Sequence, residues 1–228
     1  MIEMVVFDAD QTLWDFRRGM RRSLANRVVD LQQRFPTEAA ELDVEALVEH
    51  RRRVADEHPG AISMADVRRF AFGFTVASIG VEDPDGSLVD WLCERFFAER
   101  LRPEDLFDDT LPMLDALHDA GLRTAVLTNG NADLVDADLQ DRFELIVRAP
   151  EHGVAKPDVA AYRLVEERVG LQPAQLAMVG DDVGPDVHGA RAAGWTAIWL
   201  TRDGAPVPDG PAPHHVVRSL AEVPALVA

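Results

Sequence analysis

Aspartates follow two apolar segments of this chain at the point where each segment ends. Asp8 and Asp10 come directly after the run Met4–Phe7, and Asp181 follows the run 176–179. Carboxylates in such places are costly to bury unpaired, so they are unsuited to a core. Three carboxylates in one pocket provide the oxygen ligands that Mg²⁺ prefers, and one of them can attack phosphorus while the metal neutralises the phosphoryl oxygens. The pattern therefore predicts phosphoryl-transfer chemistry.

Further polar residues of the sequence could bind the oxygen atoms of a phosphoryl group. Thr128 follows another strand-like run and can donate a hydroxyl to a phosphoryl oxygen, with backbone N–H groups near Asn129 and Gly130 assisting. Lys156 can supply positive charge to the phosphoryl group and to the attacking carboxylate. It is the single lysine among 23 basic residues, which argues against a chance surface charge. We predict Thr128 and Lys156 as catalytic, and Asn129 and Gly130 as phosphate-binding.

Short apolar runs alternate with helical segments after residue 102, and this alternation predicts a parallel sheet covered by helices. The predicted strands are 4–7, 123–127, 143–147, 176–179 and 195–200, with a short edge strand at 216–217. The predicted helices of this part are 111–120, 162–169 and 185–193. Ligands of open parallel sheets bind at the carboxyl ends of the strands. The sheet would therefore gather the polar residues at one edge.

Residues 16–101 have a different pattern, with apolar residues at helical spacing and no strand-like run. Helix-breaking residues occur at Phe35-Pro36, His58-Pro59-Gly60 and 83–86. About four amphipathic helices are predicted. Because the first strand precedes this segment and the other strands follow it, we predict an α/β core of residues 1–15 and 102–228, with a helical bundle of residues 16–101 inserted into it.

Composition excludes several classes of protein. The 228 residues carry 23 basic and 40 acidic side chains, and the net charge of −17 repels nucleic acid. The apolar runs are shorter than the roughly 18 residues that a membrane span requires. Cys93 is the only cysteine, which excludes an internal disulfide and a multi-cysteine zinc site. No signal-peptide pattern is present, so we expect a cytoplasmic monomer or homodimer with no nucleic-acid or membrane partner.

The motifs, in this order, resemble those of the haloacid dehalogenase (HAD) superfamily, whose members are mostly phosphatases that form an aspartyl-phosphate. The resemblance rests on Asp8-Ala9-Asp10-Gln11-Thr12, Thr128-Asn129-Gly130, Lys156-Pro157, and Gly180-Asp181-Asp182 with Asp186. It implies a Rossmann-like, three-layer α/β core in which the helical segment is a cap that closes over the site. Gln11 stands where many members have glycine, and we assign it no role.

The resemblance also implies a role for each acidic residue. Asp8 is then the nucleophile and a metal ligand. Asp10 is the general acid/base and binds Mg²⁺ through its backbone carbonyl, and Asp181 is the third metal ligand. Asp182 and Asp186 are secondary candidates, either for a metal-bound water or for pairing with the lysine.

Four residues next to the first motif are candidates for substrate contacts. They are Trp14, Phe16, Arg17 and Arg21. For the two aromatic residues the alternative is packing in a core or hinge, and for the two arginines it is a solvated helix face.

Several hypotheses about the substrate remain open. The stretches 128–132, 148–153 and 179–182 look similar to bacterial phosphatases that act on FMN and on the phosphorylated ribityl-uracil precursor of riboflavin. We expect a small-molecule phosphate ester; the alternatives are a nucleotide 5′-phosphatase, a phosphosugar mutase, a metal-free 2-haloacid dehalogenase of the same fold, and a non-catalytic binding module. A dehalogenase needs no acid for its leaving group, so Asp10 argues against it. The helical segment contains no lysine, which excludes phosphonate cleavage through a Schiff base.

Overall fold

The strand-like runs of the sequence form one parallel sheet. The computed structural model describes residues 1–57, 64–131, 134–207 and 209–227. Within these residues, six strands pair in the order β3-β2-β1-β4-β5-β6, all in parallel. The strands are β1 (Met4–Phe7), β2 (Arg123–Thr128), β3 (Leu145–Arg148), β4 (Leu176–Gly180), β5 (Thr196–Leu200) and β6 (His215–Val217). The predicted α/β fold is confirmed, and no strand end differs from the prediction by more than two residues.

The centre of the sheet is buried, and the order of the strands reverses there. β1 lies between β2 and β4, and its four residues are fully buried, as is typical of a parallel strand covered on both faces. The chain adds strands outward in one direction from β1 to β3 and in the other direction from β4 to β6. Because parallel crossovers are right-handed, this reversal puts helices on both faces and opens a crevice beyond the carboxyl ends of β1 and β4.

Eight α-helices occur in the described residues. They are α1 (Phe16–Arg34), α2 (Val44–Glu57), α3 (Met64–Ser78), α4 (Ser87–Ala98), α5 (Thr110–Asp119), α6 (Val159–Val169), α7 (Gly189–Ala193) and α8 (Pro224–Val227). Helix α6 begins earlier than predicted because the Asp158 carboxylate accepts a hydrogen bond from the Ala160 N–H and caps the first turn.

The segment predicted as one helix over 185–193 has two parts. Val183–His188 forms a π-helical turn, and α7 follows it. The Tyr162 hydroxyl donates a hydrogen bond to the Pro185 carbonyl, which gives that carbonyl a partner outside the turn. The prediction of one regular helix is wrong here, and the partner of the Pro185 carbonyl, Tyr162, lies 23 positions away, outside the reach of local spacing. Single π-turns of this kind are common at functional sites.

The chain divides into two compact units. The sheet unit consists of Met1–Phe16 and Pro103–Ala228, and the helical unit is Arg17–Arg102. Each boundary lies one residue from the predicted position. Helices of the helical unit enclose their own apolar core, whose larger members include Leu24, Leu31, Leu47, Phe72, Leu92 and Phe96. The predicted break at His58-Pro59-Gly60 lies outside the described residues.

Among the helices of the described residues, none combines the length and the apolar character that crossing a bilayer requires.

Candidate active site

The polar residues that follow β1, β2 and β4 converge on one cleft of the sheet unit. Phe7 is level with Val126 of β2 and with Val179 of β4, so Asp8, Thr128 and Asp181 leave the sheet at the same edge. The cleft has a volume of about 220 Å³. It is lined by Asp8, Asp10, Thr128, Asn129, Gly130, Lys156, Asp181, Asp182, Pro185 and Asp186. All nine residues predicted for catalysis, phosphate binding, metal binding or secondary roles therefore lie in this cleft.

Lys156 holds two of the aspartates, and we call Lys156, Asp8 and Asp186 the Lys156 cluster. Its Nζ donates to Asp8 Oδ1 at 2.7 Å and to Asp186 Oδ1 at 2.7 Å. The exposed fractions of the three side chains are 1%, 13% and 1%, respectively. Burial acts to lower the pKa of Lys156, but Asp186 and Asp8 outweigh it, so the pKa lies above its ordinary value. Lys156 is thus a fixed cation beside the predicted nucleophile.

Asn129 positions Lys156 through its side chain. The Asn129 amide donates to the Lys156 carbonyl at 2.8 Å and accepts from the Lys156 N–H at 2.8 Å. The Gly130 N–H donates to the Thr128 hydroxyl oxygen at 2.8 Å. That hydroxyl therefore accepts from the backbone and has its own hydrogen to donate into the cleft. Ala132, in the stretch 128–132 that was compared with known phosphatases, lies outside the described residues.

Asp181 is held by hydrogen bonds from two residues that are far from each other in the sequence, Thr12 and Trp199. Its Oδ1 accepts a hydrogen bond from the Thr12 hydroxyl at 3.2 Å, and its carbonyl accepts from the Trp199 indole at 2.9 Å. Burial, followed by the negative charge of Asp8, raises the pKa of Asp181 to about 6. Thr12 had no predicted role of its own, although its place in the first motif was the signal that could have identified it.

Asp186 and Asp182 have different partners. Asp186 accepts from Lys156 with Oδ1 and from the Asp182 N–H with Oδ2 at 3.0 Å. Burial and the nearby Asp8 raise the pKa of Asp186 despite the opposing effect of the lysine. The Asp182 carboxylate accepts from the Gly184 N–H at 3.1 Å and caps the π-helical turn. Asp182 and Asp186 were both candidates for pairing with the lysine, and Asp186 is the one that pairs with it.

Gly180 leaves room for the Asp186 carboxylate. A Cβ atom added at Gly180 would lie 2.1 Å from Asp186 Oδ2 and 2.2 Å from its Cγ, which is far below any real contact. Only glycine at this position allows Asp186 to reach the lysine.

Trp14 contacts Asp10 and does not face the cleft. Its indole N–H donates to Asp10 Oδ1 at 2.9 Å, and 1% of the residue is exposed. We predicted Trp14 either as a substrate contact or as a packed residue. The burial matches packing and leaves no exposed ring face on which a ligand could stack. Gln11, between the two, has a φ of 65°, a left-handed conformation in which glycine is favoured.

The other three candidate substrate contacts lie at the start of α1. Phe16 is half-buried and Arg17 is exposed. Arg21 forms an ion pair with Glu45 of α2, and both side chains are about half exposed. The pKa of Arg21 is raised by its hydrogen bond and by the charge of Glu45. The positive charge of Arg21 is therefore already matched within the helical unit.

Three carboxylates of the cleft are close enough to share a cation. One oxygen of each of Asp8, Asp181 and Asp186 lies within 4.8 Å of the others. Among the residues that the structure describes, no other group of three histidine, cysteine, aspartate or glutamate side chains has its ligand atoms this close together. An all-oxygen donor set suits a hard divalent cation such as Mg²⁺. The raised pKa of Asp181 also indicates negative charge that the protein alone leaves uncompensated.

Comparison with known proteins gives a consistent picture. The sequence pattern of the haloacid dehalogenase-like hydrolases matches residues 2–194. Phosphoserine phosphatase of Thermus thermophilus is 38% identical over 137 residues, which are 58% of this chain and 55% of that protein. The 5-amino-6-(5-phospho-D-ribitylamino)uracil phosphatase YigB of Escherichia coli is 29% identical over 202 residues, 87% of this chain and 83% of that protein.

A solved structure is similar over the whole chain. The 2-haloacid dehalogenase from Pseudomonas syringae pv. Tomato DC3000 superposes with a TM-score of 0.79 at 28% identity, covering 100% of this chain and 98% of the other. Relatives with phosphatase names and relatives with dehalogenase names thus share this fold, so the fold alone does not distinguish the two chemistries.

Proposed function

This chain belongs to the haloacid dehalogenase-like hydrolases, and from that premise we propose that it is a Mg²⁺-dependent phosphatase acting on small-molecule phosphate monoesters through an aspartyl-phosphate. The observation that carries the proposal is the second carboxylate, Asp10, in the same cleft as Asp8 and Lys156. An alkoxide leaving group needs a proton, and we assign the donation of that proton to Asp10. A halide leaving group needs none.

In the proposed first step, Asp8 attacks phosphorus. Its Oδ1 is held by Lys156, so Oδ2 is the attacking oxygen. A bond forms between Asp8 Oδ2 and phosphorus, the bond from phosphorus to the ester oxygen breaks, and that oxygen takes a proton from Asp10. The Thr128 hydroxyl and the Lys156 ammonium bind phosphoryl oxygens during the transfer.

In the proposed second step, water hydrolyses the acyl phosphate. The water oxygen bonds to phosphorus, the bond between Asp8 and phosphorus breaks, and Asp10 takes a proton from the water. Asp8 and the protonated Asp10 are restored, and inorganic phosphate leaves. The net reaction consumes one water and releases one alcohol.

The cleft fits a magnesium ion. Asp8 and Asp181 would hold it with side-chain oxygens, and the backbone carbonyl of Asp10 is the third protein ligand that the family resemblance implies. When bound, Mg²⁺ neutralises charge on the phosphoryl oxygens. Asp186, whose two oxygens accept from Lys156 and from the Asp182 N–H, orients the lysine beside it.

For the substrate, we propose a phosphate ester of a sugar or ribityl-type alcohol. The name of the Escherichia coli relative, which matches 87% of this chain, supports a ribityl phosphate. FMN belongs to the same chemical class, and nucleotide 5′-phosphates are a related group. We also propose the helical unit as the part that selects among these esters, because the catalytic candidates all belong to the sheet unit.

The main alternative is a dehalogenase. The similarity to the 2-haloacid dehalogenase of Pseudomonas syringae supports this alternative. A mutase, which returns the phosphoryl group to a sugar, would keep the same acid/base residue and differs in its product.

A substrate panel separates these functions. The purified protein is assayed with FMN, ribityl and sugar phosphates, nucleotide 5′-phosphates and 2-haloacids, each with Mg²⁺ and with EDTA. We expect release of inorganic phosphate that EDTA stops and Mg²⁺ restores. Halide release that persists in EDTA would contradict the proposal, and a phosphosugar isomer formed in place of free phosphate would indicate the mutase.

A further inference from the structure

We propose that Trp14 is a positioning residue for Asp10: its indole N–H fixes which oxygen of the carboxyl group carries the catalytic proton. The inference rests on the proposed function, in which Asp10 is the general acid/base. It assigns the proton to Oδ2, the oxygen on the side of Gly130 and Thr128.

The first observation is the direction of the hydrogen bond. The Trp14 indole N–H lies 2.9 Å from Asp10 Oδ1. An indole nitrogen only donates, so Oδ1 must accept whether Asp10 is ionised or protonated. The carbonyl oxygen of a protonated carboxyl group is a stronger acceptor than its hydroxyl oxygen, so the indole favours Oδ1 as the carbonyl oxygen and Oδ2 as the oxygen that carries the proton. A buried indole N–H needs an acceptor, which keeps this pair together.

The second observation is the loop that holds the indole. The Gln11 N–H donates to the Trp14 carbonyl at 2.9 Å, and the Phe16 N–H donates to the same carbonyl at 3.0 Å. Trp14 also forms backbone bridges with Asp10 and with Leu106. These backbone contacts fix the position of the indole relative to the Asp10 carboxyl group. The left-handed φ of 65° at Gln11 is part of the same turn.

The third observation concerns the other oxygen. A Cβ atom added to Gly130 would lie 2.7 Å from Asp10 Oδ2 and 3.1 Å from the Thr128 hydroxyl oxygen. Oδ2 therefore lies directly against the Gly130 backbone, beside the hydroxyl predicted to bind a phosphoryl oxygen. The Trp14 indole on one side and the Gly130 backbone on the other side hold the Asp10 carboxyl group in one orientation.

This orientation supplies a proton at a defined atom in both steps. In the first step the Oδ2–H bond breaks and the proton moves to the ester oxygen as its bond to phosphorus breaks. In the second step Oδ2 takes a proton from the attacking water as the bond from Asp8 to phosphorus breaks. Trp14 touches no substrate and keeps its own hydrogen throughout.

The test compares esters that differ in their need for an acid. An alkyl phosphate has a basic leaving group and requires protonation, whereas 2,4-dinitrophenyl phosphate leaves without it. We measure kcat/KM, which reports the steps up to formation of the acyl phosphate, for both esters in Trp14→Phe. The matched control is Trp195→Phe, because Trp195 is also 1% exposed and its indole donates to Glu166 at 2.8 Å, outside the cleft.

We expect Trp14→Phe to lower kcat/KM by about 10–100-fold for the alkyl ester, which is below the range of about 10²–10⁴-fold for complete loss of a general acid/base, and to change it little for the dinitrophenyl ester. The Trp195→Phe ratio of the two esters should equal that of the wild type. If the phenylalanine variant does not fold, benzothienylalanine introduced at position 14 keeps the fused rings and removes only the N–H. Equal losses on both esters, or no loss, would overturn the inference.

Asp10→Asn separates this inference from its premise. Asp10→Asn should show the same ester dependence as Trp14→Phe, with a larger loss. If the wild type is active and Asp10→Asn loses equally on both esters, the acid role of Asp10 is wrong, and the role of Trp14 is overturned with it. If Asp10→Asn shows the dependence and the Trp14 variants do not, only the role of Trp14 fails.

Discussion

Both units of this protein contain a buried cation that lies between two carboxylates. In the sheet unit this is the Lys156 cluster. In the helical unit Arg27, whose side chain is 0% exposed, lies 2.7 Å from Asp30 and 3.1 Å from Glu99, and we call these three residues the Arg27 cluster. The distances and the burial of the cations are alike. Neither property distinguishes a candidate catalytic cluster from a structural one.

The difference lies in the balance of charge around each cation. In the helical unit Arg95 also reaches Asp30 at 3.1 Å, so two guanidinium groups face two carboxylates. Although burial opposes it, hydrogen bonds from Asn26 and Arg27 bring the pKa of Glu99 below its ordinary value. Arg95 therefore completes the charge compensation of the Arg27 cluster.

The cleft does not compensate its charge. Five aspartates and one lysine line it, and the pKa of Asp181 rises to about 6. A buried ion pair is thus a weak indicator of function by itself, because pairs of this kind also serve the fold. Uncompensated carboxylates at the edge of the sheet are the stronger indicator, since they favour a divalent cation.

The largest effect is expected for Asp8→Asn. The amide keeps the shape of the side chain but is no nucleophile, so kcat should fall by about 10⁴-fold or more. The measurement is steady-state phosphate release, with thermal unfolding as a control for the fold. A variant that keeps a substantial part of the wild-type kcat would remove Asp8 from the role of nucleophile.

Lys156→Arg tests whether the geometry of the cation matters beyond its charge. The guanidinium is a wide planar fork and does not fit the 2.7 Å contacts that the compact ammonium makes with both aspartates. We expect kcat/KM for a small phosphate ester to fall by about 10²-fold, comparable to losing one oriented donor. Near wild-type activity would mean that any buried cation serves here.

Arg27→Met is the counterpart in the helical unit. Removing the cation leaves two carboxylates partly buried without it, so the free energy of unfolding should fall by about 3 kcal/mol. Activity on a small phosphate ester, measured well below the melting temperature, should equal that of the wild type. Denaturant unfolding and the ester assay check the two parts. An activity loss larger than that of Lys156→Arg would reverse the comparison between the clusters.

The smallest expected effect is on stability as a function of pH. Because the folded pKa of Asp181 is raised to about 6, the metal-free folded state binds more protons than the unfolded state between about pH 4 and pH 6. This group therefore makes the metal-free protein more stable as the pH falls through 6. Mg²⁺ needs the ionised carboxylate, so it should raise Tm more at about pH 8 than at about pH 5.

Differential scanning fluorimetry with and without Mg²⁺ measures this dependence. In Asp181→Asn the stabilisation by Mg²⁺ should be small at both pH values. The same Mg²⁺ stabilisation in wild type and variant would exclude Asp181 as a ligand.

The sequence predicted the sheet and the contents of the cleft because both depend on local patterns. Apolar runs followed by polar residues mark strand ends, and parallel strands carry those ends to one edge. Asp8, Thr128 and Asp181 could therefore be placed together without any coordinates.

Long-range contacts could not be predicted in this way. Arg27 is one of many arginines on a helix, and its burial depends on Glu99, which is 72 positions away. Thr12 meets Asp181 across 169 positions, and the hydrogen bond from Tyr162 to the π-helical turn spans 23 positions. The Trp14 indole belongs to a turn in which Gln11 has a left-handed backbone. A sequence indicates that conformation mainly through glycine, and Gln11 is not a glycine.

The most direct test of the proposed chemistry is to find the phosphoryl group on the enzyme. Wild type and Asp10→Asn are mixed with an excess of dinitrophenyl phosphate and Mg²⁺, quenched in acid within milliseconds, digested and analysed by mass spectrometry. We predict a phosphoryl group on the peptide that contains Asp8, at higher occupancy in Asp10→Asn because hydrolysis of the intermediate is slower there. A phosphoryl group on another residue, or none in either protein during active turnover, would contradict the aspartyl-phosphate mechanism.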